Sequence, residues 1–232
     1  MLSIVIATWN SGKTMRRCLA SVTPFLAHID NVVIVDNCSS DDTLAIAREI
    51  LPADKLDCIS EPDAGIYDAF NKGVRHARGN SIYFLGSDDY LLPGFEAMLS
   101  DARLGHMIVV GAVRQEDRVI RHSARLPGLH LLYSNIPHQG MFIPRATLQH
   151  FPYSLRYRVL SDYAWNLSHF WSKPNQYAFR SELCCEWSIG GISGNRPDPA
   201  FSADKASLID QHAPAAIRHM YRAFRTIKGL LK

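Results

Sequence analysis

Apolar and polar positions in the N-terminal part of the chain follow two alternating rhythms. Short apolar, largely β-branched runs at residues 2–8, Asn31 to Val35, Lys55 to Ser60 and Ser81 to Leu85 have the length and make-up of buried strands. Between them apolar residues recur at helical spacing: Met15, Leu19 and Val22, then the segment Thr43 to Leu51, then Ile66, Phe70 and Val74. Chain breakers punctuate the joints. Ser39-Ser40-Asp41-Asp42 reads as a helix start, Pro62 and Gly65 precede the third helix, and Gly79-Asn80 stops it. This β-α-β-α-β-α-β order predicts an α/β fold with a mostly parallel central sheet and helices on both faces.

Beyond Tyr90 the rhythm changes. Leu91-Leu92-Pro93-Gly94 opens a helix through Leu99, Met107 to Val113 reads as a strand, and Arg118 to His122 as the second arm of a hairpin. A helix carrying Trp165, Leu167 and Phe170 opens at Leu160 to Trp165, and Pro197, Asp198 and Pro199 mark a boundary. From Ala213 on, Ile217, Tyr221, Phe224, Ile227 and Leu231 form one helical stripe and Arg218, Arg222, Arg225, Lys228 and Lys232 the stripe beside it, with no acid in the segment. The expected organisation is a main domain at 1–200 and a basic amphipathic helical tail at 201–232. Such a helix either lies on an anionic membrane surface or packs on the core with its basic face in water.

Composition narrows the picture. With 232 residues, 47% of them hydrophobic and 20% charged, the chain matches a soluble globular protein with one sizeable core. A formal net charge of +3 gives no ground for a nucleic-acid partner. No apolar run is long enough to span a bilayer, and Met1-Leu2-Ser3 lacks the basic start of a signal peptide, so a cytoplasmic location is expected. The five cysteines, Cys18, Cys38, Cys58, Cys184 and Cys185, have no C-x-x-C spacing and read as reduced packing residues.

The candidate chemistry lies where strands end, because open α/β sheets bind ligands at the carboxyl ends of their strands. The run Ile82-Tyr83-Phe84-Leu85 ends in Gly86-Ser87-Asp88-Asp89. Adjacent carboxylates repel unless a cation or donors neutralise them, and Mg²⁺ binds through one or two carboxylates plus water and substrate phosphate. The pair reads as a cation site for a diphosphate or as a helix cap or turn. Asp36 ends the second strand, where an acid can accept hydrogen bonds from a base or ribose. Asp68, Asn71 and Lys72 share a helical face. Neither a dinucleotide fingerprint nor a P-loop follows the first strand.

Four segments in order resemble the inverting family-2 glycosyltransferases of the GT-A fold, the bacterial surface-polysaccharide type above all. They are Ser3-Ile4-Val5-Ile6-Ala7-Thr8-Trp9-Asn10, Val32-Val33-Ile34-Val35-Asp36, the stretch Asp63 to Gly73, and Ser87-Asp88-Asp89. Later matches extend the resemblance from Met1 to about Gly194. It implies that Thr8, Asn10, Asp36, Asp68 and Asn71 meet the nucleotide of a UDP- or GDP-sugar, and that Lys72 or Arg75 helps neutralise its diphosphate. Asp89 would ligate Mg²⁺ or Mn²⁺, and Asp88 would hold the ribose or the metal's surroundings. His138-Gln139 would begin a strand lining the acceptor site, and Asp162 would be the general base. The acceptor would be a glycan or lipid-linked hydroxyl, and the glycine-bearing segment Trp187 to Gly194 would be a lid or a plain loop. One departure stands out: a strict Asp-x-Asp needs an acid at Ser87. A sugar-nucleotide nucleotidyltransferase and a non-catalytic nucleotide- or sugar-binding module are the alternative readings.

Overall fold

The computed structural model describes residues 1–103, 105–122, 127–188 and 196–230. Its strands are β1 (Leu2–Thr8), β2 (Ile29–Asp36), β3 (Leu56–Ser60), β4 (Ser81–Gly86), β5 (Tyr90–Leu91), β6 (Ile108–Gln115), β7 (Arg118–Ile120), β8 (Met141–Pro144) and β9 (Tyr177–Trp187). Its helices are α1 (Gly12–Val22), α2 (Thr43–Ile50), α3 (Ile66–His76), α4 (Gly94–Ala102), α5 (Pro127–His130), α6 (Arg145–His150), α7 (Ser161–Phe170), α8 (Pro199–His212) and α9 (Ala215–Leu230). All the strands join one sheet in the order β3-β2-β1-β4-β8-β6-β9-β5, with β7 paired to β6.

The helical crossovers of the N-terminal half make β3, β2, β1 and β4 a parallel block, as their alternation with helices requires. The other half adds antiparallel strands to this mostly parallel sheet. β8 runs antiparallel to both β4 and β6, and β6 is parallel only to β9. The physical reason is the missing crossover: β6 turns straight back into β7, as a hairpin does. The strand expected from His138 is also delayed, since His138–Gly140 is a turn of 3₁₀ helix and β8 begins at Met141.

Strand alternation sorts the core into two layers. Leu2, Ile4 and Ile6 face one way and pack with Met15, Leu19 and Val22 of α1 and with Phe95 of α4. Val5, Val33, Val35 and Phe84 face the other way, against Phe70 and Val74 of α3 and Leu167 of α7. α3 lies so close to the sheet that a Cβ on Gly73 would come within 2.2 Å of a Val5 methyl, so only glycine fits there. Phe201, Ile209 and Ala213 belong to the same layer as α3. α8 is therefore part of the main core, and the boundary expected at residue 200 falls inside its first turn. α9 rests on that layer through the half-buried Ile217 and Tyr221. Among the described residues no helix is long and apolar enough to cross a membrane.

Candidate active site

The loops that follow β1, β2 and β4 meet at the carboxyl end of the parallel block. There they enclose a cavity of about 510 Å³ whose walls include Thr8, Asn10, Asp88, Asp89, His138 and Gln139. Six of the residues singled out in the sequence thus share one space. Trp9, Ser11, Lys13, Asn37, Asp63 and Ser87 complete much of the lining, and the sequence reading did not select them as site residues. Trp9, Asn37 and Ser87 directly follow strand ends and Asp63 opens the Asp63 to Gly73 motif, whereas Ser11 and Lys13 lie at the start of α1.

The β1 and β2 loops are stitched together. Asn10, in the left-handed region at φ 49°, donates its amide N–H to Ser39 Oγ at 2.7 Å and accepts from the Ser40 amide at 2.9 Å. Asn and Asp tolerate that backbone region best among residues with a Cβ. Gly12 N–H donates to Asp41 Oδ2 at 2.9 Å, and Ser11 N–H to Thr43 Oγ1 at 2.8 Å. Thr8 lines the cavity, and its Oγ1 is buried without a hydrogen-bond partner.

Asp36, Asp68, Asn71 and Lys72 are not among the residues lining this cavity, because neighbouring groups already occupy their polar atoms. Asp36 is fully buried and accepts from Ser39 N–H at 2.9 Å, from the Ser39 hydroxyl and from Ser60 Oγ at 2.7 Å. Its carboxylate braces the loop that carries Asn37. Asp68 Oδ2 accepts from Ala64 N–H at 3.1 Å and lies 3.4 Å from Lys72 Nζ. Lys72 also meets Glu61 at 2.9 Å and the Pro62 carbonyl at 2.7 Å, fastening the segment that leads into α3. Asn71 clamps Tyr153, donating to its carbonyl at 2.8 Å and accepting from its N–H at 3.0 Å.

The acidic pair is built by a tight turn at the end of β4. Asp89 N–H donates to the Gly86 carbonyl at 3.1 Å, and Asp89 Oδ2 accepts from Gly86 N–H at 3.2 Å. A Cβ on Gly86 would sit 2.5 Å from that oxygen, so a side chain there would push the Asp89 carboxylate out of place. Asp89 also accepts from Ser188 N–H at 2.8 Å and from Gln139 Nε2 at 3.3 Å. Arg17 donates to the Asp88 carbonyl at 2.9 Å, as does Ser188 Oγ at 2.8 Å. Burial first, and then the Asp88 charge, push the Asp89 carboxyl from 3.8 up to about 6, against the Ser188 amide, His138 and Gln139. Burial raises Asp88 as well. Ser87, standing where a strict Asp-x-Asp has its first acid, lies with its hydroxyl 2.8 Å from that of Ser11.

The first turn of α7 carries Asp162, which is buried and is not among the residues lining the cavity. Its Oδ1 accepts from Tyr163 N–H at 2.8 Å and from Tyr67 Oη at 2.9 Å, while Oδ2 lies 3.1 Å from His138 Nδ1. His138 therefore stands between Asp162 and the cavity. Asp198 steadies the entry to α7 by accepting from the amides of Val159 and Leu160 at 2.9 and 3.1 Å. Within the segment Trp187 to Gly194, residues 189–194 lie outside the described residues.

A parallel block with paired acids at the end of β4, extended by antiparallel strands, is the architecture of a GT-A glycosyltransferase. The chain belongs to glycosyl transferase family 2, whose model matches residues 3–165. A PGL/p-HBAD biosynthesis glycosyltransferase of Mycobacterium bovis is 31% identical over 210 residues, covering 87% of this chain and 82% of that protein. The putative glycosyltransferase EpsH of Bacillus subtilis is 32% identical over 103 residues, covering 44% of this chain and 30% of that one. Among solved structures, S. aureus TarS 1–349 in complex with UDP-GlcNAc superposes with a TM-score of 0.67 at 16% identity, over 89% of this chain and 64% of that one. The mannosyltransferase PcManGT of Pyrobaculum calidifontis, in complex with GDP-Man and Mn²⁺, gives 0.59 at 18% identity, over 94% of this chain and 64% of that one. This chain spans just under two thirds of both solved chains.

Proposed function

We propose that this glycosyltransferase moves a sugar from a UDP- or GDP-sugar to a hydroxyl of a glycan or lipid-linked acceptor, with inversion, in surface-glycan biosynthesis. The observation that supports the reading is the cavity that Asp88, Asp89 and His138 line together, with Asp162 behind His138 and bonded to it. Thr8, Asn10 and Asp88 would face the nucleotide. Asp36, Asp68, Asn71 and Lys72 act by bracing the loops around it. The nucleotide-sugars bound in the TarS and PcManGT structures support the donor class.

The acidic pair fits a divalent cation. Among the described residues no group of three or more His, Cys, Asp or Glu could hold a metal ion, so the protein would contribute one or two carboxylates. That number suits Mg²⁺ or Mn²⁺, which take their remaining ligands from water and phosphate oxygens. Asp89 would be the ligand and Asp88 its neighbour. When bound, such an ion stabilises charge on the departing diphosphate. A cation would offset both the burial and the Asp88 charge that lift the Asp89 carboxyl. The His138–Asp162 pair takes the proton of the acceptor hydroxyl, and direct displacement from the opposite face inverts the anomeric centre.

A thermal-shift screen of nucleotide-sugars with Mn²⁺ tests this reading, followed by measurement of nucleoside diphosphate release. Stabilisation by one donor and metal-dependent turnover of it are expected. Pyrophosphate release from a nucleoside triphosphate and a sugar phosphate would instead indicate a nucleotidyltransferase, and binding without turnover a binding module.

The tail of α9 is basic along one stripe and would touch an anionic membrane beside a lipid-linked acceptor. Arg222 is engaged by Asp210 at 3.0 Å, whereas the exposed Arg225 lies over the Tyr221 ring. Removing residues 223–232 leaves Ile217 and Tyr221 in place. It is expected to lower co-sedimentation with vesicles containing anionic phospholipid while leaving thermal stability within a few degrees. Unchanged sedimentation would remove the membrane contact.

A further inference from the structure

Resting on the transfer reading above, we propose that the turn His138–Gly140 is a strut that fixes the general base relative to the cation-binding acid. His138 is the positioning residue of Asp162, and Gln139 is that of Asp89. Two neighbouring side chains thus reach two acids that lie far apart in sequence. His138 Nδ1 is 3.1 Å from Asp162 Oδ2, and Gln139 Nε2 donates to Asp89 Oδ2 at 3.3 Å. An ionised carboxylate only accepts, so the ring nitrogen facing Asp162 carries its proton there and the imidazole acts as a donor. A carboxylate oxygen has room for more than one donor, so the bond from His138 orients Asp162 and leaves Oδ2 able to take the proton of a hydroxyl.

The elements that carry the two acids also hold the turn. Tyr83 of β4, the strand that ends just before the acidic pair, donates its hydroxyl to the Gln139 carbonyl. Asn166, one helical turn beyond Asp162 on α7, donates to the Ile136 carbonyl at 2.9 Å. Each acid-bearing element is therefore tied to this short segment twice, once through its acid and once through a residue behind it. Within the turn, Gly140 N–H donates to the Pro137 carbonyl at 2.9 Å. The His138 ring makes an edge-on contact with Phe70, with centroids 5.1 Å apart at 70°. His138 and Gln139 are 3% and 6% exposed, so close packing leaves neither side chain room to swing.

Inverting displacement makes this spacing matter. The acceptor hydroxyl, with its base, approaches one face of the anomeric carbon, and the diphosphate leaves from the other. The separation of Asp162 from Asp89 must therefore match the substrates, and a misplacement of about 1 Å can cost about 10²-fold in rate. Two acids carried by separate elements keep that separation only if something between them is rigid. The turn supplies this, because both hydrogen bonds start from adjacent residues of one buried piece of backbone.

A turn that only supports the fold would, once damaged, lower cation-dependent binding and turnover together, whereas one side chain per acid separates the two. Binding is read by calorimetry of UDP-GlcNAc, or GDP-mannose if the screen selects it, with and without Mn²⁺. Turnover is read as nucleoside diphosphate release at saturating donor and Mn²⁺, with octyl glucoside as the hydroxyl probe, and thermal melts check that each variant is folded. Gln139→Met keeps the length of the side chain and loses the donor. It is expected to cut the affinity that Mn²⁺ adds by about 10-fold, with metal-free donor affinity within about twofold and kcat within about threefold of the wild type. His138→Phe keeps a ring against Phe70 and loses the donor, and is expected to lower kcat about 30-fold with the Mn²⁺ increment within about twofold. His138→Asn restores an N–H near the Nδ1 position and is expected to bring kcat back to within about fivefold of the wild type. The proposal is overturned if Gln139→Met keeps the full Mn²⁺ increment, if His138→Asn is as slow as His138→Phe, or if either variant lowers both readouts alike. A wild-type protein that releases no nucleoside diphosphate from any screened donor brings down the transfer reading and the strut with it, an outcome visible before any variant is made.

Discussion

Asp162→Asn is expected to lower kcat by about 10³-fold, within the 10²- to 10⁴-fold range of general-base assistance, while donor affinity stays within about twofold. The substitution preserves size, and an asparagine oxygen can still accept from Tyr163 N–H and Tyr67 Oη. What changes is the group facing His138 Nδ1, where an amide NH₂ replaces a carboxylate oxygen. An amide has no basic carboxylate oxygen, so the residue can no longer take the proton of an acceptor hydroxyl. Asp162→Ala would add a folding defect, because Tyr67 and His138 lose a buried partner, at about 1–3 kcal/mol for each group left unsatisfied. The cleaner variant is therefore asparagine, checked by steady-state turnover against calorimetric donor binding. Near-normal turnover of Asp162→Asn would remove the residue from the proton-transfer step.

How far the sequence could be read depended on whether a feature was local. The apolar runs of β1, β2 and β4 and the helical spacing of α1 and α3 are properties of contiguous residues, and the parallel block follows from their alternation. Thr8, Asn10, Asp88 and Asp89 were legible because strand ends in such a block converge on one cavity. Asp36 also ends a strand, yet its carboxylate turns into its own loop to meet Ser39 and Ser60. Position alone does not reveal which partner a side chain chooses. Ser188, which donates to Asp89, is 99 residues away in sequence and carries no local signal. The antiparallel placement of β8 between β4 and β6 was equally out of reach, since a short apolar run does not encode its pairing partner. Asp162 was singled out by its segment, but the interposed His138 became visible only once α7 and the turn at His138–Gly140 were seen side by side.

Replacing Asp89 with asparagine is expected to abolish the Mn²⁺-dependent part of donor binding and, at the same time, to stabilise the metal-free protein above pH 6. Both effects come from one carboxyl, 2% exposed and shifted from 3.8 to about 6 by burial and the Asp88 charge. The sign follows from linkage. A carboxyl whose folded value is raised is protonated more readily in the fold than in the unfolded chain, so stability falls as the pH rises from about 4 to about 6 and stays low above that. The metal-free fold therefore carries a cost of about 3 kcal/mol at neutral pH. An asparagine has no charge to bury, but its NH₂ cannot accept from Gly86 N–H, which returns about 1 kcal/mol. A net gain of about 2 kcal/mol at pH 7.5, turning into a loss of about 1 kcal/mol at pH 4, is the expected outcome of thermal melts in a chelator. Calorimetry with Mn²⁺ and UDP-GlcNAc or GDP-mannose should show the converse, with the increment that Mn²⁺ adds to wild-type donor affinity missing from the variant and fading in the wild type below pH 6. An Asp89→Asn protein that gained stability but kept the full Mn²⁺ effect would mean that the cation sits elsewhere in the cavity. On the proposed reading, stability is given up at this turn so that an ionised, dehydrated acid is held ready for a cation.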